Sequence, residues 1–403
     1  MLARVLAPTA APLDGPALLA AAWAAITPDR SAQLTREFAE FVSADEAFLF
    51  SSGKAALTVL LKALTTLRPG RSVAIPAYTC YSVPASVVRA GLNPVLIDVD
   101  PRTLDFDESS LRQVLQRPDL LCVLPTHLFG VSVDVDRVRS LCRPDVFVVE
   151  DAAQALGVTG RDGRLLGTRG DATLFSLARG KHLTCGHGGI IAVRHPEIAN
   201  ACRALYAEVP APSVVDGVVR WIELAVMAVC IKPSLYWLPS SLPFLGLGRS
   251  VYATDFSIVR LPAVSVGAMH RWRARLAAAN RARQETVEQL RAAIGANIDG
   301  GSAPLLRYPV LMDSVPQRDQ LIDTGKPFGA GTMYPTSIAG IPELRDRFAG
   351  QRYSGAEILA TRLATLPTHQ YVRASDVSAL QAICDRVRHR LEPTGAGKAV
   401  SAC

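Results

Sequence analysis

Seven short apolar, β-rich runs recur along the first half of this chain, at residues 47–50, 73–76, 94–99, 120–125, 146–150, 173–176 and 189–193. Helix-like intervals separate the first five, at 55–67, 83–90, 107–115 and 135–141, and two further helical patterns, 15–26 and 32–42, precede them all. Strands that alternate with helices fold into a mostly parallel sheet covered on both faces, with right-handed crossovers. Here that means one seven-stranded sheet, with the two leading helices as a cover. Ligands of such sheets sit beyond the carboxyl ends of the strands, so chemistry is sought where each apolar run stops.

The richest of those ends lie in residues 148–193. The fifth run stops at Glu150-Asp151-Ala152-Ala153-Gln154, which brings a carboxylate out where a buried strand meets its loop. The sixth runs through Phe175-Ser176 into Lys181, flanked by Gly180 and by Gly186-His187-Gly188-Gly189. Glycines around the lysine fit a backbone pressed close to a ligand. A carboxylate and a lysine, each at the end of a buried strand, suit a cofactor that needs one anionic partner and one amine partner. A lysine ammonium, with an unperturbed pKa of about 10.4, needs desolvation or covalent engagement before its nitrogen can react.

Asp151-Ala152-Ala153-Gln154-Ala155-Leu156-Gly157, then Gly170-Asp171, then Ser176 with Lys181 five residues later, then Gly186–Gly189, resembles the DegT/DnrJ/EryC/StrS family of sugar aminotransferases, which use pyridoxal 5'-phosphate (PLP). The resemblance covers most of residues 40–390 and is interrupted in the middle. It implies an α/β fold of the fold-type-I, aspartate-aminotransferase-like class, a small C-terminal α+β domain, and a homodimer with shared active sites. Lys181 would carry PLP as a Schiff base and move the α-proton, Asp151 would pair with the pyridine nitrogen, and Ser176 would help hold the phosphate. Gln154 would sit near the ring's phenolic oxygen or on the sugar side. Relatives that are sugar dehydratases carry histidine in place of the lysine, so Lys181 favours transfer; His182 and His187 are read as turn residues.

The other strand ends add to this set and depart from it. Ser52-Gly53-Lys54 opens a helix, where free N–H groups and the helix dipole can cradle a phosphate, or where serine simply caps. The family has Ser-Gly-Thr there, so Lys54 loses a hydroxyl. In Tyr78-Thr79-Cys80-Tyr81, the family's ring over the pyridine falls on Cys80, which leaves Tyr81 or Tyr78 as substitutes. His127 matches a His-x-x-Gly turn and is read there as a stabiliser of the turn. Residues 256–261 resemble Gly-x-Asn-x-Arg-Met with Phe256 and Ile258 in place of glycine and asparagine, and with Arg260 retained. Tyr78, His127, Arg260 and Tyr334 complete the substrate-side candidates.

From about residue 208 the pattern breaks. Residues 218–248 are apolar, with Trp221, Tyr236 and Trp237, but Glu223, Lys232 and several prolines interrupt any span of about 20 residues. This insertion reads as an interface with a partner subunit, an apolar lid or a membrane-surface contact. A continuous amphipathic helix is expected over 264–294, its arginines 271, 273, 275, 281 and 283 forming a solvated face. Strands are expected at 307–310 and 332–335, helices at 356–363 and 375–391, and a disordered tail over 393–403. The domain reading is a large domain, 1–250, and a second part, 251–392, made of the long helix and the small domain. With 403 residues, 49% of them hydrophobic, the chain can bury a core of that size.

The net charge of +7 is spread along the chain, which suggests anionic small molecules or a membrane surface and no nucleic-acid partner. Eight cysteines without a C-x-x-C pair indicate a reducing, cytoplasmic setting, with no metal site, for a protein that is soluble or peripheral to the membrane. The expected reaction moves an amino group from L-glutamate or L-glutamine to a carbonyl acceptor. The acceptor is a nucleotide-linked keto-sugar by family likeness, or a lipid-linked or greasy carbonyl given the insertion. A dehydratase and a non-catalytic regulator, PLP-binding or PLP-free, are the rivals, the latter because positions 54, 80 and 258 all depart from the pattern.

Overall fold

The computed structural model describes residues 4–11, 13–242 and 250–389. Two helices, α1 (Gly15–Ala24) and α2 (Ser31–Phe41), lead into β1 (Glu46–Phe50), α3 (Gly53–Leu67), β2 (Ser72–Pro76), α4 (Ser82–Arg89), β3 (Asn93–Ile97), α5 (Glu108–Leu115), β4 (Leu120–Val123), α6 (Val135–Leu141), β5 (Phe147–Asp151), β6 (Ala172–Ser176) and β7 (Gly189–Val193). All seven anticipated strands are present. They form one sheet in the order β1-β7-β6-β5-β4-β2-β3. The pairs β2–β3, β2–β4, β4–β5 and β5–β6 are parallel, and only β7 runs antiparallel to its neighbours.

Strand alternation divides the apolar side chains between two faces. Phe48, Phe50, Val73, Ile75, Ala172 and Leu174 join the core built around α3 and α4. Ala47, Leu49, Phe175 and Ile190 face the opposite way, onto Phe38 of α2 and the helices beside it. Ala74, Ile97, Val123 and Val148 pack onto α5 and α6. With both faces covered, the open places are the strand ends.

After β7 come α7 (Pro196–Glu208), α8 (Val214–Cys230), α9 (Trp237–Ser240), α10 (Ala263–Gly267) and α11 (Trp272–Ile294). The expected continuous helix over 264–294 is two helices. The chain breaks at Arg271, which takes a left-handed conformation (φ +51°). The break lets Trp272 stack on Phe38 (centroids 5.0 Å apart) and meet Phe41 edge-on (5.1 Å). In the insertion, Ser213 and Asp216 form a reciprocal capping box at the start of α8. Leu224 of α8 is buried against the Gly186 turn, while Val218, Val219, Ile222, Val226 and Val229 are exposed. Beside them, Leu19, Trp23 and Ile26 on and just after α1 are exposed as well, and Trp221 Nε1 donates to the Leu18 carbonyl (3.3 Å). Among the described residues no helix is long and apolar enough to cross a membrane.

The C-terminal part contains β8 (Arg307–Leu311), α12 (Val315–Gly325), α13 (Ser354–Arg362), β9 (Leu363–Pro367) and α14 (Ala374–His389). The partner of β8 is β9, in antiparallel register, and the strand expected at 332–335 is not formed. Pro335 has no N–H, and the neighbouring donors go to side chains instead: Tyr334 N–H to Tyr78 Oη (3.4 Å) and Thr336 N–H to Tyr81 Oη (3.0 Å). The expected tail, 393–403, and the apolar residues 243–248 lie outside the described residues.

Candidate active site

The parallel pairing of β5 with β6 sets the Asp151 end of one strand beside the Ser176 end of the other. Asp151 is 5% exposed, and its Oδ1 accepts from Ala153 N–H (3.0 Å). Burial raises its pKa, opposed by that bond and by the charge of Lys181. Lys181 is half-buried in the turn after β6, where burial lowers the pKa of its ammonium against the pull of Cys80 and Asp151. Each of the two groups therefore lies in the other's field. The lysine is biased toward its free amine, and the carboxylate is held where a cationic ring nitrogen would compensate it.

A cradle for an anion lies alongside. Ser52 caps α3 by accepting from Ala55 N–H (3.2 Å), so the hydroxyl serves the helix while the Gly53 and Lys54 N–H groups begin it. A side-chain carbon on Gly53 would stand 3.8 Å from Ser176 Oγ, which puts the helix start and the serine on one small space. Gly189 makes this approach possible. It is paired with both Phe50 and Ser176, and a Cβ there would fall 2.4 Å from the Ser52 carbonyl. Lys54 points elsewhere, with its Nζ 4.7 Å from the centre of the Phe256 ring. The two departures from the family pattern are thus in contact and account for one another.

The aromatic residues tie this end of the sheet to the C-terminal part. Gln154 Nε2 donates to Tyr334 Oη (2.9 Å), and its Oε1 accepts from Phe129 N–H (3.1 Å). Its amide is therefore a brace between two loops. Tyr81 stacks on Tyr334 (centroids 6.2 Å, 25° between planes) and shares a 2.6 Å hydrogen bond with Thr336 Oγ1; Tyr78 meets Tyr334 edge-on. Two substrate-side candidates are spent on structure. His127 is fully buried, hydrogen-bonded to Glu150 Oε2 (2.9 Å) and accepting from Val133 N–H (3.3 Å), so it stabilises its turn and offers no nitrogen to a ligand. Arg260 lies over the Tyr206 ring (4.9 Å) and donates to the Tyr206 and Ala207 carbonyls (3.1 Å each), ending α7 instead of facing a substrate.

Residues 17–210 match the DegT/DnrJ/EryC1/StrS aminotransferase family. Over that stretch the chain is similar to this family. GDP-perosamine synthase of Caulobacter vibrioides is 34% identical over 174 residues, which are 43% of this chain and 46% of the relative. The spore coat polysaccharide biosynthesis protein SpsC of Bacillus subtilis is 36% identical over 174 residues, 43% and 44% of the two chains. These alignments span about half the length of either relative. Fold likeness extends further. The aminotransferase PseC of Helicobacter pylori superposes with a TM-score of 0.75 at 16% identity, over 95% of this chain and 99% of that one. The GDP-4-keto-6-deoxy-D-mannose-3-dehydratase of E. coli gives 0.71 at 17%, over 94% and 100%. At such identities the likeness shows the fold, which is that of fold-type-I sugar aminotransferases.

Beyond the family segment, α11 supplies residues that hold the lysine turn from behind. Arg283, expected on a solvated face, is fully buried and donates to the carbonyls of Ala10 (2.8 Å), Lys181 (3.2 Å) and His182 (3.3 Å). Asn280 Nδ2 donates to the Leu156 and Gly157 carbonyls (3.1 Å each), and its Oδ1 lies 2.7 Å from His182 Nδ1. His182 Nε2 is 3.0 Å from the Gln154 carbonyl. Burial and the nearby Arg283 charge push the His182 pKa down to about 3, so the neutral ring has a single N–H for these two acceptors. The signal was there to be read: 276, 280, 283, 287, 290 and 294 fall on one helical stripe that is apolar except for Asn280 and Arg283.

Proposed function

We propose that this protein is a PLP-dependent aminotransferase that moves an amino group from L-glutamate or L-glutamine to the carbonyl of a nucleotide-linked keto-sugar. The observation that carries the reading is the Asp151–Lys181 pair, each group desolvated and each in the other's field, beside the Ser176–Gly53 cradle. These residues fit PLP: a buried carboxylate for the ring nitrogen, an amine for the aldehyde, and a helix start with a serine for the phosphate. When bound, PLP supplies an electron sink for the carbon that loses its proton. The chain's own part is to desolvate Lys181, which lowers the pKa of its ammonium, to orient Asp151 through Ala153 N–H, and to let Lys181 Nζ carry the proton between substrate positions. The coverage of C. vibrioides GDP-perosamine synthase and B. subtilis SpsC supports a sugar acceptor.

Absorbance spectroscopy tests the reading. With added PLP the wild type is expected to turn yellow and to bleach with L-glutamate, while Lys181→Ala shows neither the lysine-bound absorption nor bleaching. Uptake of PLP without bleaching by any amino acid would favour the dehydratase; no uptake at all would favour a regulator.

The exposed apolar residues of α8, next to those of α1, support a homodimer formed through this face. Burying side chains of this size contributes about 1.5–3 kcal/mol each. Val218→Asp with Ile222→Asp is therefore expected to raise the dimer dissociation constant by about 100-fold or more, read by light scattering across a dilution series. A double variant that stays dimeric but no longer sediments with liposomes would move the face to a membrane surface. That outcome would favour a lipid-linked acceptor.

A further inference from the structure

A groove of about 480 Å³ runs between the loop after β5, helix α11 and the segment that leads into β8. That volume falls within the range of small-molecule sites, about 300–1,000 Å³. None of its lining residues belongs to the Asp151–Lys181 site, although two of them, Gly130 and Asn280, border His182. Gly157 sets one wall. Its left-handed backbone (φ +68°) brings the loop so near α11 that a Cβ there would fall 2.9 Å from Leu276 Cδ2 and 3.0 Å from Asn280 Nδ2. The Asn280 amide, bonded to the Leu156 and Gly157 carbonyls, holds that wall in place.

What the lining can bind follows from which of its groups are already committed. Its one carboxylate, that of Asp299, is paired with Arg161, which also donates to the Asp299 carbonyl (3.3 Å). Arg281 is exposed, and among the described residues it meets neither a carboxylate nor a carbonyl, unlike Arg273, Arg275 and Arg283 of the same helix. The hydroxyls of Ser132, Thr159 and Ser302 likewise have no partner among the described residues. Nor do the N–H groups of Gly301, Ser302 and Ala303, three in succession that begin at a left-handed residue (φ +58°). Successive N–H groups around such a residue form a concavity for anions. The uncommitted charge is therefore positive and stands among hydroxyl and N–H donors, a set that matches the acceptor oxygens of a phosphate.

We propose that this groove binds a sugar phosphate, with the phosphate at Arg281 and the Gly301–Ala303 segment and the sugar hydroxyls along Ser132 and Thr159. The groove is larger than a bare phosphate fills. Its lining has no aromatic ring on which a nucleotide base could stack, which makes a nucleoside the poorer fit. The only apolar side chains in it are those of Ala277, Ala303 and Pro304, too small a surface for a lipid chain. An occupant bridges the sheet and the C-terminal part, and it also meets Asn280, which is bonded to the histidine next to Lys181.

Calorimetry with glucose 1-phosphate and glucose 6-phosphate tests the site, on protein incubated with PLP so that a phosphate cradle at Ser176 and Gly53 is already filled. Wild type is compared with Arg281→Glu and with Arg291→Glu, which changes a second arginine of α11 that lies outside the groove. At least one ester is expected to bind the wild type. Arg281→Glu is expected to weaken it about tenfold or more, the loss of a charge-assisted hydrogen bond, while Arg291→Glu changes it by less than about twofold. Hydrogen exchange should slow on adding the ester at residues 157–161 and 299–304, the two loops that face the groove. The proposal is overturned if neither ester binds, or if wild type and Arg281→Glu bind alike. Equal losses in the two glutamate variants also overturn it, because they would mean attraction to the general positive charge. Inorganic phosphate that binds as tightly as the esters would remove the sugar from the assignment, and uridine diphosphate that binds more tightly would give the groove to a nucleotide; either result overturns it. The Arg281 comparison decides in the same way if the protein takes up no PLP, so that failure of the aminotransferase reading leaves this test intact.

Discussion

Replacement of Glu150 by alanine is expected to lower the folding free energy by about 3–5 kcal/mol, the range for removing one member of a fully buried, hydrogen-bonded pair. Denaturant titration would read it as a fall in midpoint. Glu150 has no exposed surface and accepts four bonds: His127 Nε2 and Gly167 N–H on Oε2 (2.9 Å each), Arg169 and Gly170 N–H on Oε1 (2.6 Å each). It thereby fastens both the turn after β4 and the loop before β6 to β5. Glutamine is expected to rescue little, because all four partners come as donors and an amide has only one acceptor oxygen. Its NH2 group would face either the Oε1 or the Oε2 pair of donors.

The same carboxylate gives an acid dependence with a definite sign. Burial alone would raise its pKa, but the His127 hydrogen bond and the Gly170 and Arg169 N–H groups outweigh burial and hold it down at about 2. A folded pKa below the unfolded value means stability that is fully present above about pH 4.5 and lost as pH falls toward 2. Glu150→Ala should remove this part of the acid transition along with the stability itself. Midpoints that decline equally in both proteins below pH 4.5 would show that other carboxylates carry it.

Adjacent residues Glu150 and Asp151 also show how far the sequence could be read. Both stand at the end of the fifth apolar run, and strand alternation sends them to opposite sides, so one became a clamp and the other part of the candidate site. Residue order locates such a pair; only the surrounding loops decide which is which. The seven strands were legible because nearly all of their residues are buried, on both faces, so they are written as short, largely apolar runs. The segment 332–335 has the same composition, yet the Tyr78 and Tyr81 hydroxyls, more than 250 positions away, take the N–H groups a ladder would need. Leu363–Pro367 was missed as a strand because it follows α13 directly, with no turn residue to mark the change of period. Lys54 and Phe256 looked like two separate losses from a pattern and are one contact. Long-range partners of this kind leave no trace in local periodicity.

Arg283 presents the strongest case, and substituting it by methionine is expected to cost about 3 kcal/mol or more while loosening the lysine turn. Methionine fills much of the volume and removes the charge together with the hydrogen bonds. Three buried carbonyls, those of Ala10, Lys181 and His182, would lose their donor, and each unsatisfied acceptor costs about 1–3 kcal/mol. Part of this is offset because a desolvated cation is removed as well; burial already lowers the Arg283 pKa to about 10, and no carboxylate opposes that shift. Of the three carbonyls, two belong to Lys181 and the residue after it, so the loss falls on the backbone that aims the amine. Hydrogen exchange is expected to quicken across residues 178–187 in Arg283→Met, with a smaller change in β1 to β4. Uptake of PLP should weaken in step, since a lysine free to leave its place beside Asp151 no longer meets the cofactor in a fixed position. Exchange that quickens evenly over the whole chain would mean that Arg283 supports the fold in general and does not position Lys181.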